Sequence, residues 1–261
     1  MLRLIDHDDV TQLHFSTRSS RAMGYAVSAY VTRGVLIDTG FPHAGRDLEG
    51  WLDGTRPGGA IVTHAHEDHA GNIDPLVRRG VPVQLAAETE AMVRAPRPIG
   101  WYRRVCWGTA SPLREPIGPF LHPALQLMPA PGHSPDHHVV WDAERETVFG
   151  GDLFIGVKVR IAHPGQDVRG EVRSLKAVLA LGPKRFFDAH RGVLEHPREQ
   201  LGAKVAWMEE TIGEIERLAA GGWSDRAIRN AVLGREDSTA WVSGGDYARI
   251  NLVRGVLQER G

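Results

Sequence analysis

The sequence contains a single cysteine, Cys106, in 261 residues. One cysteine excludes an intramolecular disulfide framework and is consistent with the cytoplasm. Cys106 also lies apart from the histidine and aspartate clusters of the chain, so we interpret it as a small apolar packing residue and not as a nucleophile.

An excess of either charge is also lacking, since 31 basic and 32 acidic side chains give a formal net charge of -1. No global field therefore attracts nucleic acid or an anionic membrane. No apolar run approaches the roughly 20 residues of a membrane span, and the first nine residues lack the apolar core of a signal peptide. We expect a soluble, cytoplasmic protein with a small-molecule partner, no membrane partner and no nucleic-acid partner unless a local basic patch exists. Assembly of the chain into a homo-oligomer is possible on this evidence from the sequence.

Ligand-type side chains are concentrated just after a short apolar strand. Within the six residues 64–69, four have such side chains: His64, His66, Asp68 and His69. Imidazole nitrogen and carboxylate oxygen suit divalent cations such as zinc, with manganese and iron(II) as alternatives. In an extended segment His64 and His66 project to the same side, because side chains alternate. One histidine alone would more often be structural. Four ligand-type residues so close together indicate a site for two adjacent metals.

Three polar residues further along the chain follow apolar strands in the same way: His133, Asp152 and His190. Each by itself could be a turn histidine, a helix-capping aspartate or a hydrogen-bonded core histidine. Their shared position at the C-terminal end of a strand favours one common site.

The two spaced histidines and the following Asp-His pair resemble the motif of the metallo-β-lactamase superfamily, and the resemblance spans most of the chain. It implies two metals, with Asp152 as the bridging carboxylate. The implied ligands are His64, His66, Asp68, His69, His133, Asp152 and His190. Asp38 resembles the aspartate that supports the ligands from behind, although a simple turn residue is the alternative.

An aspartate at the bridging position resembles the glyoxalase II, lactonase and ribonuclease Z branches and not the true β-lactamases. This resemblance implies a hydroxide, held between two zinc, iron or manganese ions, that cleaves an ester, thioester or lactone of a small intracellular molecule. Asp68 could also accept a proton and so act as a catalytic residue. The alternatives are a phosphodiesterase or ribonuclease of the same fold, a non-catalytic metal-binding sensor or interaction protein, and an iron redox enzyme.

Short strands alternate with helices along the chain, which predicts an α+β fold. The resemblance sharpens this to a four-layer αββα sandwich with the metals at one edge and a helical C-terminal extension. The predicted strands are residues 25–32, 35–37, 60–63, 81–86, 125–128, 138–141, 147–149 and 185–189, and the predicted helices are residues 47–52, 70–79, 88–94 and 171–181.

We predict a catalytic domain at residues 1–196, with a lid-like insertion at 94–123, and a helical extension at 197–261 packed on it. In the extension, apolar residues recur every three or four positions until Gly221. Ser224 can cap the next helix, and a last helix begins near Asp246. A substrate-shaping or dimerising role is the alternative to simple packing.

Two segments are predicted to select the substrate: the proline- and aromatic-rich insertion and the stretch after Asp152. In the second, alternation places Lys158 and Arg160 on one face. The candidate substrate contacts are Trp101, Tyr102, Trp107, Lys158, Arg160 and His163. The alternative is that the insertion is a surface loop that only covers the core, and that the charged side chains are solvated.

Overall fold

A computed structural model describes residues 1–258 and contains two mixed β-sheets. The first sheet has six strands in chain order: β1 (Leu2–His7), β2 (Val10–Phe15), β3 (Val27–Thr32), β4 (Val35–Ile37), β5 (Gly59–Ile61) and β6 (Val83–Gln84). The second has the order β11-β10-β9-β8-β7, formed by β7 (Leu125–Pro129), β8 (His138–Asp142), β9 (Thr147–Phe149), β10 (Arg185–Asp188) and β11 (Gly192–Val193). Strands β4 to β6 pair in parallel, as do β9 and β10.

Helices occupy the connections and the C-terminal segment. They are α1 (Arg18–Ala22), α2 (Gly45–Gly54), α3 (Glu67–Ala70), α4 (Ile73–Arg78), α5 (Ala87–Arg94), α6 (Trp101–Cys106), α7 (Val168–Ala180), α8 (Pro197–Ala220), α9 (Asp225–Val232), α10 (Ser238–Val242) and α11 (Arg249–Gln258). Within residues 1–258, none of these helices combines the length and the apolar character needed to cross a membrane.

Alternation along the strands divides the core into layers. In β4, Leu36 packs with helices α2 and α4 on the outer face of the first sheet. Its neighbours Val35 and Ile37 point to the other face and meet Phe149 and Phe187 of the second sheet.

The outer face of the second sheet, which includes Phe186, packs against helices α7 and α8. The layers are therefore helix, sheet, sheet and helix, and the predicted αββα sandwich is confirmed.

Two segments of the chain differ from the prediction. Strands β1 and β2 had no predicted element. No residue of edge strand β1 is buried, and in β2 the polar residues Thr11, Gln12 and His14 interrupt the apolar ones. The single helix predicted over residues 70–79 is wrong, since α3 and α4 are separated at Gly71 and Asn72. A side chain at Gly71 would clash with the carbonyl oxygen of Glu67, and the Asn72 N–H donates to the Thr39 hydroxyl at 3.0 Å.

The C-terminal segment forms the predicted helices with one shifted boundary. Helix α8 ends at the C-cap Gly221, and the Ser224 hydroxyl accepts a hydrogen bond from the Ala227 N–H to cap α9. The last helix begins at Arg249 and not near Asp246. The division of the chain at residue 196 stays a prediction, because α8 and the second sheet share one apolar cluster.

Candidate metal centre

Three histidines and one aspartate converge beyond the strand ends as a first cluster. His66 Nδ1 lies 3.0 Å from His64 Nε2 and 3.1 Å from His133 Nε2. Asp152 Oδ2 lies 3.4 Å from the same His133 nitrogen. These four residues can hold one metal ion between them.

A second cluster adjoins the first and shares Asp152. Asp152 Oδ1 lies 3.1 Å from both His69 Nε2 and His190 Nε2. Asp68 Oδ2 lies 3.5 Å from His190 Nε2 and 4.0 Å from His69 Nε2. Asp152 thus directs one carboxylate oxygen to each cluster, and the second cluster can hold another metal ion.

Two buried polar atoms show that the clusters fit cations. His69 Nε2 and Asp152 Oδ1 are buried and face each other at 3.1 Å, and neither has a hydrogen-bonding partner outside the two clusters among residues 1–258. Buried polar atoms normally have a hydrogen-bonding partner in the surrounding structure, whereas these two atoms contact only other members of the clusters. Imidazole and carboxylate donors suit zinc and similar divalent ions at about 2.0–2.2 Å, so the residues fit a pair of such ions.

Asp38 holds His69 in a metal-binding orientation. Its Oδ2 accepts from His69 Nδ1 at 2.8 Å, while its Oδ1 accepts from the Thr63 N–H at 2.8 Å. The Nδ1 of His190 donates to the Ala26 carbonyl at 2.9 Å in the same manner. In both histidines the outer nitrogen is engaged, which turns Nε2 toward the second cluster.

Two further residues, Asp136 and His137, support the site. Asp136 accepts from the Ala65 N–H at 2.8 Å and from the Thr89 hydroxyl at 3.0 Å, which fixes the loop of the first histidines. His137, which was not assigned as a ligand, accepts from the Asp152 N–H at 3.0 Å through Nε2. Each of these contacts joins distant parts of the chain, so local spacing gives no signal for them.

Asp188 ties together the two loops that follow β9 and β10. Its Oδ1 accepts from the N–H groups of His190 and Arg191 at 2.9 and 2.8 Å. Its Oδ2 accepts from the Ile155 N–H at 2.8 Å. Ile155 has φ of +52°, a left-handed conformation that β-branched residues rarely adopt. Asp188 therefore stabilises a strained residue three positions after Asp152.

The protonation of the first cluster favours metal binding. Burial lowers the pKa of His64, His66 and His133 well below the usual value of an imidazole. The neighbouring histidines lower the pKa of His64 and His66 further. These rings are therefore neutral, which is the form that binds a metal.

The second cluster has the opposite electrostatics. Burial alone would lower the pKa of His190, but the Asp152 carboxylate raises it to about 9. Burial likewise opposes charge on His69, and Asp152, Asp38 and Asp68 outweigh it and raise the pKa of that ring. Burial would raise the pKa of Asp152, yet His190 and His69 hold it well below its usual range. A cation bound here replaces the imidazole protons, so binding releases protons.

A cavity of about 240 Å³ opens beside the clusters. Tyr102, Trp107 and His163, three of the candidate substrate contacts, line it, as does Tyr25. The Trp101 side chain does not line this cavity and is 54% exposed.

The segment after Asp152 alternates as predicted, but the structure does not bring its basic residues to the cavity. Lys158 and Arg160 are exposed, whereas Val159 and Ile161 line the wall. Because successive side chains point in opposite directions, one face of the segment supplies the apolar wall and the charged face meets solvent.

Two buried cations line the cavity, and each is paired with a buried carboxylate. Arg103 donates two hydrogen bonds to Glu67, at 2.5 and 2.6 Å. Lys204 Nζ lies 2.7 Å from Glu171 Oε1. Lys204 and Tyr247 of the C-terminal segment also line the cavity. Neither contact was predicted, because helical periodicity in a sequence does not show which residues the polar side chains of the helix contact.

Comparisons with known proteins agree with this geometry. A profile of the Metallo-beta-lactamase superfamily matches residues 24–190. The chain is 26% identical over 185 residues to the Beta-lactamase-like protein 2 homolog of Drosophila melanogaster, and the match covers 64% of this chain and 57% of that protein. The chain thus spans little more than half the length of this curated relative.

Two solved structures share the fold. A metallo-beta-lactamase family protein from Thermus thermophilus has a TM-score of 0.67 and 18% identity over 98% of this chain and 95% of that chain. The mono-zinc form of the metallo-beta-lactamase FIM-1 from Pseudomonas aeruginosa has a TM-score of 0.58 and 19% identity over 80% of this chain and 95% of that chain.

Proposed function

Because this chain belongs to the metallo-beta-lactamase superfamily, we propose that it is a hydrolase with two divalent metal ions, preferably zinc, that cleaves an ester, thioester or lactone bond of a small cytoplasmic molecule. The observation that carries the proposal is the charge of the cavity. Its two buried cations, Arg103 and Lys204, are already paired with Glu67 and Glu171.

Paired cations make the cavity poorly suited to a polyanion. A phosphodiester substrate needs cations that are free to neutralise its phosphates, and a buried charge that loses its partner is strongly unfavourable. The other walls, including Trp107 and Val159, offer aromatic and apolar contacts. An acyl compound meets these walls without displacing either ion pair.

The residues of the chain divide the work at the site. Two divalent ions bound by the clusters would supply Lewis acidity and lower the pKa of water to about 7. Asp152 lies between both clusters and sets their separation. Asp68 also lines the cavity, where its carboxylate can hold a proton on the way to the leaving group. Tyr25 and Trp107 exclude bulk water from one side.

Phosphodiester cleavage is the second candidate, and Arg191 is the observation that favours it. This residue lies at the cavity wall and is exposed. Its Nε donates to the Ile155 carbonyl at 2.5 Å, and no carboxylate pairs with it among residues 1–258. The Arg191 guanidinium could bind one phosphate group of a substrate.

The test combines metal content with a substrate panel. Protein purified without added metal is analysed for metals and assayed on lactones, thioesters and phosphodiesters, as the wild type, Asp152→Ala and the control Asp53→Ala at an exposed surface ion pair. We expect about two zinc ions per chain and acyl hydrolysis in the wild type and control. In Asp152→Ala we expect about one ion or none, and loss of most hydrolysis.

Full activity of a chain with one metal would contradict the dinuclear proposal. Cleavage of phosphodiesters alone would establish the second candidate in its place, and bound iron without hydrolysis would indicate redox chemistry.

A further inference from the structure

A second cavity of about 250 Å³ adjoins the one at the metal clusters. Three tyrosines, Tyr25, Tyr102 and Tyr247, line both cavities. The two spaces are therefore neighbours with a common aromatic wall. We call the second cavity the side pocket.

The chemistry of the side pocket differs from that of the metal cavity. Its remaining lining residues are Met23, Val242, Ser238, Thr239 and Ser243. None of the described residues that line it carries a charge. Such a wall cannot compensate a phosphate or a carboxylate, but it can bury hydrocarbon with a few hydroxyl groups at the margin.

A buried hydroxyl group stands where the two cavities meet. The Tyr102 side chain is 3% exposed, and its hydroxyl interacts with that of Tyr247. Its ring packs edge-on against Tyr247 at 5.2 Å between centroids. Tyr247 in turn contacts His163 at 4.5 Å.

The apolar surface continues outward from the side pocket onto α10. No residue of this short helix is buried, and Val242 is 43% exposed while lining the pocket. Exposed apolar surface next to a functional cavity often belongs to the ligand site.

We propose that the side pocket binds the hydrocarbon chain of an acyl substrate whose carbonyl group lies at the metal clusters. The inference rests on the proposed acyl hydrolysis and specifies its substrate class, an ester or thioester of an unbranched chain of several carbons. The chain leaves the metal cavity past Tyr25, Tyr102 and Tyr247, the three residues that line both spaces.

This pocket predicts a dependence on chain length. Burying one methylene group strengthens binding by roughly fourfold, and the gain continues until the pocket is filled. A substrate that ends within the metal cavity gains nothing from the side pocket.

Two valines of similar exposure permit a matched test. Val242 lines the side pocket, whereas Val105 is 48% exposed and lines neither cavity. In Val242→Arg the long cationic side chain obstructs the pocket, while Val105→Arg adds the same charge elsewhere. Since both positions are exposed, neither variant threatens the fold.

Binding of unbranched carboxylic acids from two to ten carbons to the zinc-loaded protein is measured by titration calorimetry. We expect the affinity of the wild type and Val105→Arg to rise about fourfold per methylene over part of the series. In Val242→Arg this rise should be absent while the affinity for acetate is unchanged. Equal affinity for all acids in the wild type, or the same chain-length dependence in all three proteins, would overturn the proposal.

Hydrolysis of the matching ester series separates this inference from the proposed function. Chain-dependent binding without any ester hydrolysis would support the pocket and contradict the hydrolase. Ester hydrolysis with binding that ignores chain length would support the hydrolase and remove the pocket.

Discussion

At the residue scale, Asp38 shows how a side chain outside the ligand set controls the site. It has φ of +61° at the end of β4, and its two oxygens accept from Thr63 and His69. One carboxylate thereby joins the strand end to the ring orientation of a ligand. Fixing the outer nitrogen of a metal-binding imidazole sets its tautomer and raises its basicity.

Asp38→Ala should weaken metal binding by about 10–100-fold, because His69 loses the acceptor that orients it. The measurement is a zinc competition titration with a chelator of known affinity. Asp53→Ala, on the surface of α2, serves as the control. An unchanged zinc affinity in Asp38→Ala, with the protein folded by circular dichroism, would show that the His69 ring needs no such support.

Residues of one local motif could be foreseen from the sequence, and residues defined by distant contacts could not. His64, His66, Asp68 and His69 stand close enough that the backbone period alone brings them together. Asp136 acts on Ala65 from 71 positions away. Its role is created by the tertiary fold, so nothing around it in the sequence predicts that contact.

At the element scale, an ion pair connects helix α6 of the predicted lid to the segment that contains the candidate metal ligands. Arg103 of this helix donates to Glu67, the residue between ligands His66 and Asp68. Both side chains are buried. A change in the position of α6 is therefore transmitted directly to the loop that carries the ligands.

Arg103→Met should lower the free energy of unfolding by about 3–5 kcal/mol, because it leaves the Glu67 carboxylate buried without its partner. Urea denaturation measures this value. The control Arg104→Met changes an exposed arginine of the same helix and should have little effect. The double variant Glu67→Gln/Arg103→Met should regain part of the loss. Equal stability of Arg103→Met and the wild type would mean that the ion pair stabilises nothing.

Strands with a continuous apolar run were predictable, and strands whose sequence mixes polar and apolar residues were missed. Every residue of β4 and of β9 is buried, and both strands were identified from their apolar runs. Strand β1 is held by pairing with β2 through its backbone, which its side chains do not reveal. The break after α3 depends on the close approach of Glu67 and Pro42 to Gly71, which periodicity cannot show.

At the scale of the whole molecule, the C-terminal helices are part of the same core as the second sheet. Leu201 and Ile215 of α8 pack in one cluster with Val148 and Phe186. Lys204 of the same helix donates to the carbonyl oxygens of Leu153 and Phe154, at 2.9 and 2.7 Å. These two carbonyls directly follow Asp152.

A chain truncated after residue 196 should lose its cooperative fold. It would expose the outer face of the second sheet, which α8 covers with six buried apolar residues: Leu201, Val205, Met208, Ile212, Ile215 and Leu218. Burial of each such side chain contributes about 1.5–3 kcal/mol, and the total stability of a domain is only about 5–15 kcal/mol.

Thermal unfolding followed by circular dichroism, together with gel filtration, tests this expectation. We expect aggregation or a non-cooperative transition for the truncated chain. A monomer that unfolds cooperatively and binds zinc as the full chain does would instead establish residues 1–196 as an independent domain.

The superfamily profile ends at residue 190, the position of the last metal ligand, while Lys204, Val242 and Tyr247 form cavity walls beyond it. Part of the cavity wall is thus encoded outside the stretch of the gene that encodes the candidate metal ligands. Changes in the last sixty or so codons can therefore reshape the cavity while the stretch that encodes the two clusters stays the same.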